Sequence, residues 1–284
     1  MSTRTIAIAA AWTILSTAAA LAHPGIGIVQ DRHGNVFYTD LKQIWKITPD
    51  GKKSVVVPNV HSHELSIDAD GNLYGEHLWY EGDKTGKWGH RVWRLSADGK
   101  LADIIPAHEG FQSDYSFVRD AAGNLYWADR DQSQILKRTP DDKIAVHAKA
   151  EFHDIRWMTA TPDGTLYLID AGNLRRITPA GEVSTVVAKL SSKNPPPRAV
   201  TDKHYHMGLW TDAEGSVYVA VSEERLALKI GPKGDTAVIA RTSWPWAPSG
   251  GLFDPQGNLW LLEYSVTNDV RVRRIDRNGK ATKF

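Results

Sequence analysis

The chain has 284 residues, with 34 Lys and Arg against 33 Asp and Glu, 11 His and no Cys. A charge balance this even, with no basic block, argues against a nucleic-acid partner and against an anionic membrane surface. Without cysteine there is no disulfide and no thiolate chemistry.

Residues 1–22 read as a signal peptide. Arg4 is their lone charge, Ile6 to Ala22 is apolar, and Ala20-Leu21-Ala22 has the small-x-small spelling of a cleavage site. The run is short for a membrane span and no stop-transfer pattern follows it. Cleavage would leave His23 as the first of 262 residues, now with 33 basic and 33 acidic side chains. An exported chain without disulfides suits a bacterial-type periplasm or the exterior. Residues 23–284 are the length of one domain.

From Gly34 onward the chain repeats itself. An Asp-x-x-Gly turn between two apolar segments recurs with its glycine at Gly34, Gly71, Gly123, Gly164, Gly215 and Gly257, Thr161 standing for Asp in the fourth copy. Such a turn supplies a side-chain acceptor first and a residue tolerant of positive φ later, so it can hairpin two strands. The strands that follow read Val36-Phe-Tyr, Leu73-Tyr, Leu125-Tyr-Trp, Leu166-Tyr-Leu, Val217-Tyr-Val and Leu259-Trp-Leu. After each comes a second half-module, such as Ile44-Trp-Lys-Ile-Thr-Pro-Asp-Gly, and then a short outer strand such as Ser54-Val-Val-Val. Four strands per unit and six units predict an all-β, six-bladed β-propeller with four antiparallel strands per blade. Trp45 and Trp93 hold one place in the third strand and are expected to pack between blades.

These repeats resemble the NHL-repeat propellers and, more distantly, the gluconolactonase and paraoxonase-like propellers. The resemblance covers nearly all of residues 23–284 and implies the fold. It leaves activity open, because one scaffold carries lyases, hydrolases and binding modules.

Topology assigns the faces. Strand one of each blade starts on the rim where strand two ends, so loops at both places share one side. The turn glycines are spaced by 37, 52, 41, 51 and 42 residues, and the two long intervals hold insertions at Leu78 to His90 and Leu190 to Tyr205. Both fall on that rim, which marks it as the expected working face. The glycines of Gly172-Asn173 and Gly250-Gly251 read as turn and strand-start residues.

Six of the 11 histidines gather just ahead of strand one: His23, His61, His63, His153, His204 and His206. His61-Ser-His63 and His204-Tyr-His206 are His-x-His pairs, and in an extended segment residues two apart point the same way. Paired neutral imidazoles suit zinc, copper, nickel or iron. The expected site is therefore a copper or zinc centre on His63, His153 and His206, with His23, His61 and His204 as further ligands. A free His23 would also offer its α-amine, as in the histidine-brace copper sites that it locally resembles. Acids cluster there as well: Asp40, Glu76, Asp129, Asp170 and Glu263 end strand two, and Glu64 and Asp154 follow histidines. Most acids at a strand end accept local backbone donors. Glu64 is the candidate general base, and Tyr115 and Arg156 are candidate holders of an anion, Arg156 being equally able to pair with a rim acid. Trp79, Trp88, Trp157, Trp244 and Trp246 are candidates to wall a pocket.

The amidating lyase of the NHL type implies three histidines on zinc with Arg and Tyr assisting. This chain is similar in its rim histidines, Tyr115 and Arg156, and departs in lacking cysteine pairs. The gluconolactonase-like enzymes imply an ion on Glu, Asn and Asp, a set that only Glu64 matches here. The sequence thus predicts an exported, monomeric propeller with a histidine-rich metal site taking a small molecule or peptide at the channel mouth. The candidate chemistries are lyase, hydrolase or oxidase; the alternatives are a non-catalytic binding propeller for a peptide, glycan or protein, and a gluconolactonase-like lactone hydrolase.

Overall fold

A computed structural model describes residues 24–80, 82, 84–85, 87–109, 118–191, 205–212, 214–231 and 233–284. It has six separate sheets of four antiparallel strands, each sheet built from consecutive strands, and no helix among the described residues. Blade 1 holds β1 (Ile28–Gln30), β2 (Val36–Thr39), β3 (Gln43–Ile47) and β4 (Lys53–Pro58). Blade 2 holds β5 (Leu65–Ile67), β6 (Leu73–Tyr80), β7 (Trp88–Leu95) and β8 (Leu101–Glu109). Blade 3 holds β9 (Val118–Arg119), β10 (Leu125–Asp129), β11 (Gln134–Arg138) and β12 (Ile144–Lys149). Blade 4 holds β13 (Ile155–Ala160), β14 (Leu166–Asp170), β15 (Asn173–Ile177) and β16 (Val183–Val187). Blade 5 holds β17 (His206–Thr211), β18 (Val217–Val221), β19 (Leu226–Ile230) and β20 (Thr236–Arg241). Blade 6 holds β21 (Trp246–Phe253), β22 (Leu259–Ser265), β23 (Val270–Ile275) and β24 (Ala281–Lys283). The six-bladed propeller expected from the repeats is the fold.

The repeated turn works as its residues dictate. In blade 1, Asp31 accepts the Asn35 N–H at Oδ1 and its side-chain amide at Oδ2, at 2.8 and 2.7 Å. Asp68, Asp120 and Asp254 bind Asn72, Asn124 and Asn258 in the same way. The second oxygen also reaches back to strand two: Tyr74, Tyr126, Tyr218 and Trp260 donate to it. The turn glycines all have φ near +80°, for example Gly34 at 80° and Gly257 at 78°, where a Cβ would strain the backbone.

Core packing lies between blades. Phe37, Ile44 and Val57 of blade 1 meet Leu73 and Trp93 of blade 2, and comparable clusters join blades 3 and 4, 4 and 5, 5 and 6, and 6 and 1. Trp93 is fully buried and its indole N–H donates to the Glu76 carbonyl at 3.0 Å, which is the packing role expected of it. The turns between strands three and four brace the preceding blade. Gly181 of blade 4 abuts the His147 carbonyl of blade 3, and Gly234 of blade 5 abuts the Val186 carbonyl of blade 4. Gly51 of blade 1 meets the Phe284 ring, which stacks on Trp260 of blade 6 while the Phe284 backbone pairs with Val272. The ring is thus closed by side-chain packing, and no strand is shared between the first and last blades.

The first insertion is a hairpin extension. β6 and β7 stay paired out to Tyr80 and Trp88, eight residues in each strand. Residues 192–204 of the second insertion lie outside the described residues.

Candidate functional site

Strand one of blade 2 begins beneath a compact group of polar side chains. His61-Ser62-His63 runs along the rim, and Glu76-His77 on β6 lies beside it. Glu76 is 5% exposed, and its Oε1 accepts the His63 N–H at 2.5 Å and the Glu64 N–H at 3.4 Å. The same oxygen lies 3.6 Å from His63 Nδ1. His77 Nδ1 accepts the His61 N–H at 2.8 Å, so His77 carries its proton on Nε2. The His61 and His63 rings meet edge-on with centroids 4.7 Å apart. Burial, helped by neighbouring His63, pushes the His61 imidazole down to about 4, so it is neutral at neutral pH. Burial lowers His77 too, with Arg91 adding to the effect. Glu64 is 7% exposed and faces the central channel.

The other sequence candidates do not join this group. His206 is buried in blade 5, its ring Nε2 bonded to the Leu190 carbonyl and its ring perpendicular to that of Tyr205. Burial pushes it down to about 4. His153 is exposed on blade 4, and its backbone N–H donates to Asp170 at 2.7 Å. His23, His204 and Tyr115 lie outside the described residues. Among the described residues, no three or more of His, Asp and Glu are placed to hold one metal ion. Arg156 pairs with Asp154 at 2.9 Å, one of the two roles expected of it.

The strand-end acids do what such acids usually do. Asp40 accepts the backbone of Lys42 and Gln43 and the Trp45 indole, and Asp129 accepts Gln132 and Gln134. Asp170 accepts the His153 and Asp154 N–H groups and pairs with Arg175. Glu263, fully buried, is held by Arg271 and Arg273 at 2.7 Å each. Of the rim tryptophans, Trp157 is buried, Trp244 is 71% exposed and Trp246 lies under the Arg271 guanidinium at 3.9 Å.

One feature of this rim had no reading in the sequence. Pro24 to Gly27 are buried, and Ile26 and Gly27 lie at the end of the channel. The Ile26 and Gly27 N–H groups both donate to the His63 carbonyl at 2.8 Å, and Gly27 accepts from Thr39. The segment fits because glycines leave it room. A Cβ at Gly250 would collide with the Ile26 carbonyl, one at Gly208 would lie 3.1 Å from the Ile26 Cβ, and one at Gly27 would lie 2.8 Å from the Leu65 nitrogen. Gly208 and Gly250 sit inside β17 and β21, outside the turn register, and that misplacement is the signal the sequence offered.

No family model matches the chain. A search of curated proteins finds a virginiamycin B lyase of Nocardia farcinica (strain IFM 10152), 27% identical over 146 residues, which are 49% of this chain and 45% of that protein. The match therefore spans less than half of the relative's length. Among solved structures, virginiamycin B lyase from Staphylococcus aureus superposes with a TM-score of 0.58 at 15% identity, over 92% of this chain and 84% of that one. A putative gluconolactonase superposes with a TM-score of 0.60 at 17% identity, over 87% of each chain. The fold is that of the virginiamycin B lyase and gluconolactonase-like propellers. At these identities the structural likeness speaks to fold, and the chemistry rests on the residues of this chain.

Proposed function

We propose that the chain is exported after cleavage behind Ala22 and is a metal-dependent enzyme of the lyase or hydrolase kind, working on the strand-start rim of blade 2. The proposed ligands of a copper or zinc ion are His61, His63 and the mature amino-terminal His23. The observation that carries this reading is the edge-on approach of the His61 and His63 rings at 4.7 Å, with Glu76 beside His63 to orient it. A neutral His61 is in the form that binds metal. Gly25 packs against the Ser62 carbonyl, 3.4 Å from the position of a Cβ.

A bound ion would supply polarisation of an ester or lactone carbonyl. Glu64, next to His63 and facing the channel, is the proposed general base. Tyr115 is the proposed holder of developing negative charge, Arg156 being engaged by Asp154 on blade 4. The likeness to a lyase favours this chemistry over an oxidase, and a small molecule or peptide at the channel mouth is the proposed partner of a monomer. His153 and His206 are given no ligand role, since one is turned to solvent and the other bonded to a carbonyl.

The test is elemental analysis of exported protein whose first residue is confirmed as His23. About one copper or zinc per chain, lost in His61→Ala, supports the reading. A folded protein empty after equilibration with either ion sinks it. A binding propeller without catalysis is the second reading, favoured by exposed Trp244 beside Arg271-capped Trp246. A gluconolactonase-like lactone hydrolase is the third, supported by Glu64 as a channel-wall carboxylate.

A further inference from the structure

The axis of the ring holds a cavity of about 880 Å³. Its wall is made by the innermost strands, through residues such as Val29, Ile67, Met158, Leu209 and Phe253, with Ser66, Thr159 and Thr211 adding hydroxyls. At one end the wall continues into the turns, through Arg32, Glu214, Pro255 and Arg277. At the other end, among the described residues, it stops at Ile26, Gly27 and Glu64. Trp157, Met207 and Gly250, farther up the same innermost strands, are packed against Ile26 instead of facing the cavity. The rim that gathers the histidines is thus the end where the chain closes its own channel.

We propose that the channel is a one-ended binding pocket, roofed by Ile26 and Gly27 and entered from the turn face by small, uncharged molecules with an apolar body. The volume falls in the range of pockets that enclose a drug-sized ligand. The apolar wall with scattered hydroxyls suits such a body with a few neutral polar groups. Charged groups of both signs line the way in, Arg32 and Arg277 with Asp31, Asp212, Glu214 and Asp254 at the turns and Arg119 on β9, so a strongly charged molecule of either sign meets like charge there. Glu64 lies at the roofed end, where a ligand that fills the pocket places its leading atoms. The proposal stands without the metal reading, and its test is run on metal-stripped protein, so the two fail separately.

Because the chain has no cysteine, one thiol can be placed at will. Thr159→Cys sets it on the wall, and Lys100→Cys gives an exposed control. Relative to that control, neutral N-phenylmaleimide is expected to label Thr159→Cys at least ten times faster than cationic or anionic methanethiosulfonates do. Adding Arg32→Trp and Glu214→Trp at the mouth is expected to slow that labelling at least tenfold. Trimming the roof by Ile26→Ala, or dislodging it by Gly250→Ala, restores labelling in the doubly blocked protein. Labelling that ignores the tryptophans places the opening elsewhere and overturns the proposal. Equal relative rates for neutral and charged reagents make the channel a water-filled passage and overturn it as well. A Thr159→Cys protein that stays inert while folded, with the control reacting, closes the channel at both ends and overturns it too.

Discussion

Blades 2 and 5 open with the same spelling, His-x-His, and put it to different uses. In blade 2 the pair stands beside Glu76 and His77, which hold the backbone of both histidines and leave the two rings meeting edge-on. In blade 5 strand two ends in Val221 and Ser222 instead, and His206 turns its ring inward to the Leu190 carbonyl. The local motif is equal; the partner strand decides. A carboxylate and an imidazole at the strand end make a polar rim, whereas valine and serine make a core position that a histidine fills with one carbonyl bond.

The sharpest way to break this comparison is metal content. His61→Ala is expected to abolish stoichiometric copper or zinc in the mature protein, while His206→Gln keeps it; loss in both, or in neither, removes the distinction between the blades.

Next in size is pH. His206 is pushed down to about 4, below the ordinary imidazole value of 6.5, so the unfolded chain takes a proton before the folded one. Its stabilising contribution is complete above pH 6.5 and is lost as pH falls towards 4, by about 3 kcal/mol. Urea unfolding at pH 7 and pH 4.5 measures it, and His206→Gln should flatten the fall. A wild-type fall that the variant retains in full assigns the effect to other groups.

The strand-end partners come third. Glu76→Ala leaves buried N–H groups of blade 2 without an acceptor and should destabilise by about 2 kcal/mol. Ser222→Ala removes one donor to the Pro248 carbonyl and should cost about 1 kcal/mol. Thermal unfolding of the two variants ranks them, and the reverse order contradicts the account given for blade 2.

The smallest effect belongs to Arg156. Its pair with Asp154 is a third or more exposed on both sides, so Arg156→Gln should move stability by less than about 0.5 kcal/mol. A larger loss in denaturant titration would show a partner beyond Asp154.

What could be read in the chain alone follows from how far each signal reaches. Asp31, Asp68, Asp120 and Asp254 cap turns within five residues, so spelling alone located the hairpins and counted the blades. The acids at Asp40 and Asp129 bind donors within five residues and were legible for the same reason. Ring contacts are not local. His63 meets Glu76 across a strand pair, and His206 meets Leu190 across an insertion. The roof over the channel was hidden further still, since Ile26 packs on Gly208 and Gly250, residues separated from it by most of the chain. Periodicity fixes which way a strand faces; it carries no information on what crosses from another blade.

The seam between blades 6 and 1 has a consequence of its own. Because no strand bridges it, each blade is an unbroken stretch of chain, and a blade can be gained or lost as one piece without orphaning a strand elsewhere. The same arrangement leaves Phe284 as a mechanical latch: its ring fills the gap between Gly51 and Trp260 and its backbone extends the outer edge of the last sheet. Phe284 packs on the buried cluster that joins blades 6 and 1, so Phe284→Ala is expected to speed amide exchange beside Val272 before it does so elsewhere in the ring.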